Sequence, residues 1–297
     1  MEGEIWLFLL VAGGAVGLVS SFFGVGACFI MVPVMIFCLE RFMGVSPSLA
    51  PLIAFGTNMA VVVPTSLSGV LRHRRELKRR GLRFPTKHYL YFAPFVGLGS
   101  LLGSALAFTI FSSFRKEAGI MLKMIFGLVC LLGAYRFLRA RPIPISELRE
   151  PNKVKYLVAG LLGGLLAHFI GIGGGIVYMP LLNAVLKVPV HYAVGLSLAT
   201  MVVGSSVGAS SFALLGRIDQ LSHPSDYPPF SFGWLNLVCF VGLGLSSVIL
   251  AQVGPYIAHR TSPEKYKLLL ALVYTYIGVR LVVRGAFQLA GIPPPIP

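Results

Sequence analysis

Long apolar runs separated by short polar or glycine-rich breaks fill this chain from end to end. The runs fall at 5–22, 24–39, 46–71, 88–111, 118–138, 156–170, 175–187, 190–214, 232–254 and 264–284. A hydrocarbon core of roughly 30 Å takes about 20 helical residues to cross, and several runs reach that length. In lipid every backbone N–H and C=O must be paired within the spanning structure, which leaves helices or a closed barrel. The runs lack the period-two alternation of barrel strands, so they predict helices. The expected fold class is therefore an all-α integral membrane protein.

The apolar pattern occurs twice. Val11 to Val34 reads VAGGAVGLVSSFFGVGACFIMVPV, and Val158 to Leu181 reads VAGLLGGLLAHFIGIGGGIVYMPL. At an offset of 147 residues the two share Gly13/Gly160, Gly17/Gly164, Phe22/Phe169, Gly24/Gly171, Gly26/Gly173 and Pro33/Pro180. Residues 1–138 and 156–297 are thus expected to be two homologous halves of about four spans each, joined by a linker at 139–155. Matching Gly/Pro interruptions in two halves of an apolar chain point to a secondary transporter and to its substrate site. Residues 5–38 as one helix would be about 51 Å long, too long for one straight pass. A broken or re-entrant hairpin starting each half, with inverted repeats, is preferred over a single pass with parallel repeats. Charge counting does not separate the two.

Composition narrows the class. The chain of 297 residues is 56% hydrophobic and 12% charged, about half the charge of a soluble domain. Its net charge of +15 is not spread as a nucleic-acid surface would be. Arg72, Arg74, Arg75, Lys78, Arg79, Arg80, Arg83 and Lys87 lie together between two runs. That places 72–87, read as a loop, on the cytoplasmic side and against anionic headgroups. Passing out and back puts 139–155 on the same side, where Arg139, Arg141, Arg149, Lys153 and Lys155 agree. Met1-Glu2-Gly3-Glu4 is acidic, so 5–22 is read as a span and not as a signal peptide. Lys123, Arg280 and Arg284 are expected to snorkel from span ends. Cys28, Cys38, Cys130 and Cys239 form no CxxC pair and read as small buried hydrophobes. No cofactor or metal is implied.

All ten acidic residues are expected in loops or at span ends, including Glu76, Asp219 and Glu264. A cationic substrate would lack a counter-charge, so a neutral or anionic one fits better. An anion could instead be held by backbone N–H groups at a helix start opened by glycine, at Gly24 and Gly26 in one half and Gly171, Gly173, Gly174 and Gly175 in the other. Close helix packing is the alternative use of the same glycines. Thr57, Asn58 and Ser66 in one half, and Ser197, Thr200 and Ser205 in the other, supply groups that hydrogen-bond an oxyanion or a neighbouring helix. His168 stands three residues before Gly171 and is a candidate for proton coupling, or a neutral histidine bonded to the next helix. His73, His88, His191, His223 and His259 read as loop or end residues.

FFGVGACFIMVP with AFGTNMAVVVPTSLSG, and HFIGIGGGIVYMPLL with AVGLSLATMVVGSSVGA, resemble the sulfite exporter TauE/SafE family. Arg72-His73-Arg74-Arg75 resembles that family's basic loop. The resemblance covers essentially the whole chain. It implies a multi-pass transporter of sulfite, organosulfonates or related anions in a cytoplasmic membrane. A coupling proton or sodium ion is a separate candidate partner. Ala27-Cys28 stands where the second turn has Gly174-Gly175, and Leu196 stands where the first half has Thr57, so the two turns differ. A passive anion channel is the alternative. A membrane-embedded enzyme fits less well, because no run holds paired acids, HxxxH or a Ser/His/Asp set.

Overall fold

A computed structural model describes residues 2–23, 28–114, 118–139, 148–258 and 260–292. The elements are α1 (Glu2–Phe23), α2 (Cys28–Arg41), α3 (Ala50–Arg79), α4 (Thr86–Ser113), α5 (Ala118–Arg139), α6 (Lys153–Phe169) and α7 (Gly175–Pro180). A wide turn at Leu181–Val185 follows. Next come α8 (Val190–Ser222), a two-strand hairpin of β1 (Ser231–Phe232) and β2 (Leu235–Asn236), α9 (Leu237–Leu250), α10 (Val253–Ala258) and α11 (Pro263–Leu289). Among the described residues, five helical stretches are long and apolar enough to cross a membrane: Trp6–Phe23, Ala50–Arg79, Thr86–Ser113, Val190–Ser222 and Leu237–Ala258. The protein is an all-α multi-pass membrane protein.

Local chemistry sets the helix ends. Asn152, Asn236 and Ser262 accept the N–H of Lys155, Cys239 and Lys265, which caps α6, α9 and α11. Pro51 and Pro263 sit in the first turns of α3 and α11, where a missing N–H costs nothing.

Three expectations need correction. The stretch 72–87 is mostly helix: α3 runs on to Arg79, and only 80–85 form a turn before α4. No glycine or proline breaks Leu71–Arg80, and Glu76 pairs with Arg72 at 2.8 Å and with Arg79 at 3.2 Å on one helix face. Gly81, at φ +70°, supplies the left-handed residue that ends the helix. Glu76 and His73 are consequently buried on a helix and are not loop residues. Asp219 stands in the last turn of α8, which continues to Ser222, and so lies at a helix end; it accepts a hydrogen bond from the Tyr227 hydroxyl at 2.7 Å. The run 232–254 is not one helix: it opens in the hairpin, starts helical structure at Leu237 and is interrupted at 251–252.

Four helix pairings build the body: α1 against α9, α6 against α4, α3 against α8, and α5 against α11. Glycines decide the first two. A Cβ on Gly13 or Gly17 would meet the carbonyls of Leu243 or Ser247 on α9. A Cβ on Gly160 or Gly164 would meet those of Phe92 or Val96 on α4. Small residues four apart let two backbones touch, which is how helices associate where lipid supplies no hydrophobic drive. Helix α1 is thus docked on an element that follows 139–155, and α6 on one that precedes it. The Pro224–Trp234 segment is ordered. Trp234 is fully buried, its ring 5.3–5.8 Å from those of Phe108, Phe111 and Phe212. Cys38, Cys130 and Cys239 are buried free thiols; the side chain of Cys28 lies outside the described residues, as do that of Lys123 and all of His259.

Candidate substrate site

The second glycine-rich turn breaks the helix between α6 and α7. Gly171, Gly173 and Gly174 adopt φ of +74°, +68° and +98°, a region that side chains rarely enter. Their surroundings are as restrictive as their backbone. The Phe55 ring occupies the place of a Cβ on Gly171, and the Tyr178 ring that of a Cβ on Gly174. Gly173 is flanked by Val62 and Ser205. Gly175 is buried as the first residue of α7.

The two long helices α3 and α8 fasten this turn from opposite sides. Asn58 Nδ2 donates to the Gly171 carbonyl at 3.4 Å, and Ser205 Oγ donates to the Gly173 carbonyl at 3.0 Å. Phe55, Asn58 and Val62 follow one stripe of α3, which Ser66 continues one turn on. Thr200, Gly204, Ser205 and Gly208 follow the facing stripe of α8. Asn58 Oδ1, Ser66 Oγ and Thr200 Oγ1 are buried with no hydrogen-bond partner. An unmet polar atom inside a protein costs about 1–3 kcal/mol, so three on two facing helices call for a reason.

His168 is fully buried beside them. Its Nδ1 lies 3.0 Å from the Gly164 carbonyl and 3.0 Å from Ser100 Oγ, and Ser100 donates onward to Val96 at 2.7 Å. That arrangement places the proton on Nδ1 and leaves Nε2 as an acceptor without a partner, next to Gly208 and Met59. Of the remaining candidates, Gly24 and Gly26 lie outside the described residues. Thr57 Oγ1 accepts the Asn236 N–H at 2.9 Å and so anchors the start of α9. Ser197 is buried on α8. Phe55, Met59, Val62, Ser100 and Tyr178 complete the surroundings; sequence reasoning did not single them out, because their roles arise from a crossing of distant helices. Among the described residues, no group of three His, Cys, Asp or Glu side chains could hold a metal.

Comparison with known proteins decides the family. The sequence model for "Sulfite exporter TauE/SafE" matches residues 9–281. The chain belongs to the TauE/SafE family. This TauE/SafE protein is 25% identical to the probable membrane transporter protein MJ0441 of Methanocaldococcus jannaschii, over 93% of its own length and 94% of the relative. It is also 25% identical to the probable membrane transporter protein YunE of Bacillus subtilis, over 95% and 99%. A probable membrane transporter protein of Haemophilus influenzae is 25% identical over 84% and 87%. The TauE/SafE chain is a membrane transporter and not an enzyme.

Proposed function

We propose that this chain is a secondary transporter that carries a small sulfur-containing anion, such as sulfite or an organosulfonate, across the cytoplasmic membrane by alternating access. The observation that carries the reading is the set of buried, uncommitted polar atoms where α3 and α8 grip the 170–174 turn. The hydroxyls of Ser66 and Thr200 are free donors for an oxyanion. The N–H groups that open α7 at Gly173, Gly174 and Gly175 add the positive end of a helix. The duplicated sequence pattern extends the same role to Gly24 and Gly26, and Thr57 and Ser197 are the further hydroxyls assigned to the substrate. Asn58 Oδ1 and His168 Nε2 are acceptors; they suit a protonated substrate, or a coupling proton or sodium ion.

Contacts along α3 and α8 favour inverted halves. Gly56 packs near Phe212 and Gly195 against His73, while Gly208 packs on Met59 and Gly69 near Leu198. Each of these pairs maps onto the other at an offset of 139 residues, and both run antiparallel. Equivalent helices meet head to tail only when the axis relating them lies in the membrane plane. The same contacts favour a hairpin at α6–α7. Lys87 reaches Glu150 at 3.2 Å just before α6, and His73 contacts the His191 carbonyl at the start of α8. The segment between therefore leaves and returns on the side of the basic turn, which we assign to the cytoplasm together with 139–155.

The test is uptake of radiolabelled sulfite into proteoliposomes, with and without a pH gradient, competed by taurine, sulfoacetate and sulfate. Saturable uptake that sulfonates block is expected. Uptake no faster than into empty liposomes under any gradient would sink the substrate assignment. Currents too large for a carrier would turn the reading to a channel.

A further inference from the structure

A cavity of about 1080 Å³ opens between α1–α2 and α11, away from the turn at 170–174. Its walls are apolar along most of their length, with Pro33 and Phe37 of α2 facing Leu272 and Ile277 of α11. Its charged residues gather at the C-terminal ends of both helices: Glu40 and Arg41 on α2, Arg280 and Arg284 on α11. Three arginines against one glutamate leave that end positive. Leu272, Tyr276, Arg280 and Arg284 stand four residues apart on one face, so the groove runs about 18 Å from apolar to basic. Arg284 Nε and, one turn further, Gln288 Oε1 are buried without hydrogen-bond partners. Phe37 and Leu272 are 51% and 60% exposed, so the groove is open along its side.

We propose that this groove seats an anionic phospholipid, its phosphate on Arg41, Arg280 and Arg284 and an acyl chain along Pro33–Phe37 and Leu272–Ile277. The site is amphiphilic in the order a lipid requires, and its charge matches a phosphate. A guanidinium offers a planar fork of donors to phosphate oxygens, and the N–H of Arg284 that has no partner inside the protein would gain one. A zwitterionic lipid brings a second, positive group to the same end and loses the advantage.

Native mass spectrometry of the full chain in detergent, with phosphatidylglycerol or phosphatidylcholine added at equal concentration, reads the site directly. Preferential retention of phosphatidylglycerol is expected. The double variant Arg280→Gln/Arg284→Gln should weaken it on the order of twentyfold, each basic group near a lipid surface contributing about fivefold. Leu272→Trp, at an exposed position that lines the apolar end, should lower retention of both lipids and keeps the test valid where the double variant does not fold. Equal retention of the two lipids would overturn the proposal. So would lipid binding unchanged in Leu272→Trp, or a dimer whose mass excludes lipid and which Leu272→Trp breaks.

Discussion

Ser205 and Asn58 each hold a carbonyl of a turn they are far from in sequence. Ser205→Ala should leave the Gly173 carbonyl unpaired, at about 1–3 kcal/mol. Proteoliposome flux should fall severalfold, while Ser205→Thr, which keeps the hydroxyl, should retain most of it. Equal flux in both variants would remove Ser205 from the site. Ser66→Ala with Thr200→Val removes two hydroxyls that satisfy nothing inside the protein. That pair should raise KM for sulfite at least tenfold without lowering thermal stability, and a stability loss with unchanged KM would assign them to packing instead. The sequence did point to the break at the second glycine-rich turn, where the glycines adopt left-handed φ, and to the burial of the Asn58 amide in the next long helix. Thr57 shows what was not legible. Its hydroxyl receives the N–H of Asn236, a partner 179 positions away that no local spacing announces.

At the scale of elements, the apolar runs located the long helices but misjudged several ends. Hydropathy falls at Arg72, yet α3 continues because Arg72–Glu76 and Glu76–Arg79 pairs stabilise a polar helix that lipid does not. Period alone also missed the hairpin before α9, which the Trp234 ring fixes among Phe108, Phe111 and Phe212. Trp234→Ala should cost about 3–5 kcal/mol as a large buried ring is lost, readable as a fall in the unfolding midpoint in detergent. Gly164→Leu should be as damaging, since its side chain would enter the backbone of α4 at Val96. Gly97→Ala is the control: only a Val203 methyl lies within 4 Å, at 3.5 Å, so it should be close to neutral. Equal midpoints for the two glycine variants would refute the close docking of α6 on α4.

For the whole molecule, orientation and interlocking are the testable quantities. A cysteine placed at Gly81 or Arg149 should react with a membrane-impermeant maleimide only after cells are opened. One at Ser225 should react in intact cells. The opposite pattern would invert the assigned topology. Co-expressed fragments, cut within 139–155, should assemble and transport, while each fragment alone should be degraded, because the most extensive contacts of α1, with α9, and of α6, with α4, cross the cut. Accumulation of either fragment alone would contradict that dependence.

The α3–α8 crossing has a consequence for how the chain can change. Gly195 makes room for His73, and Gly208 makes room for Met59, so each glycine on α8 houses a side chain of α3. Neither helix is then free to drift by itself. An enlargement on one survives only with a reduction on the other, and the two stretches, far apart in sequence, are tied by a list of paired permissions.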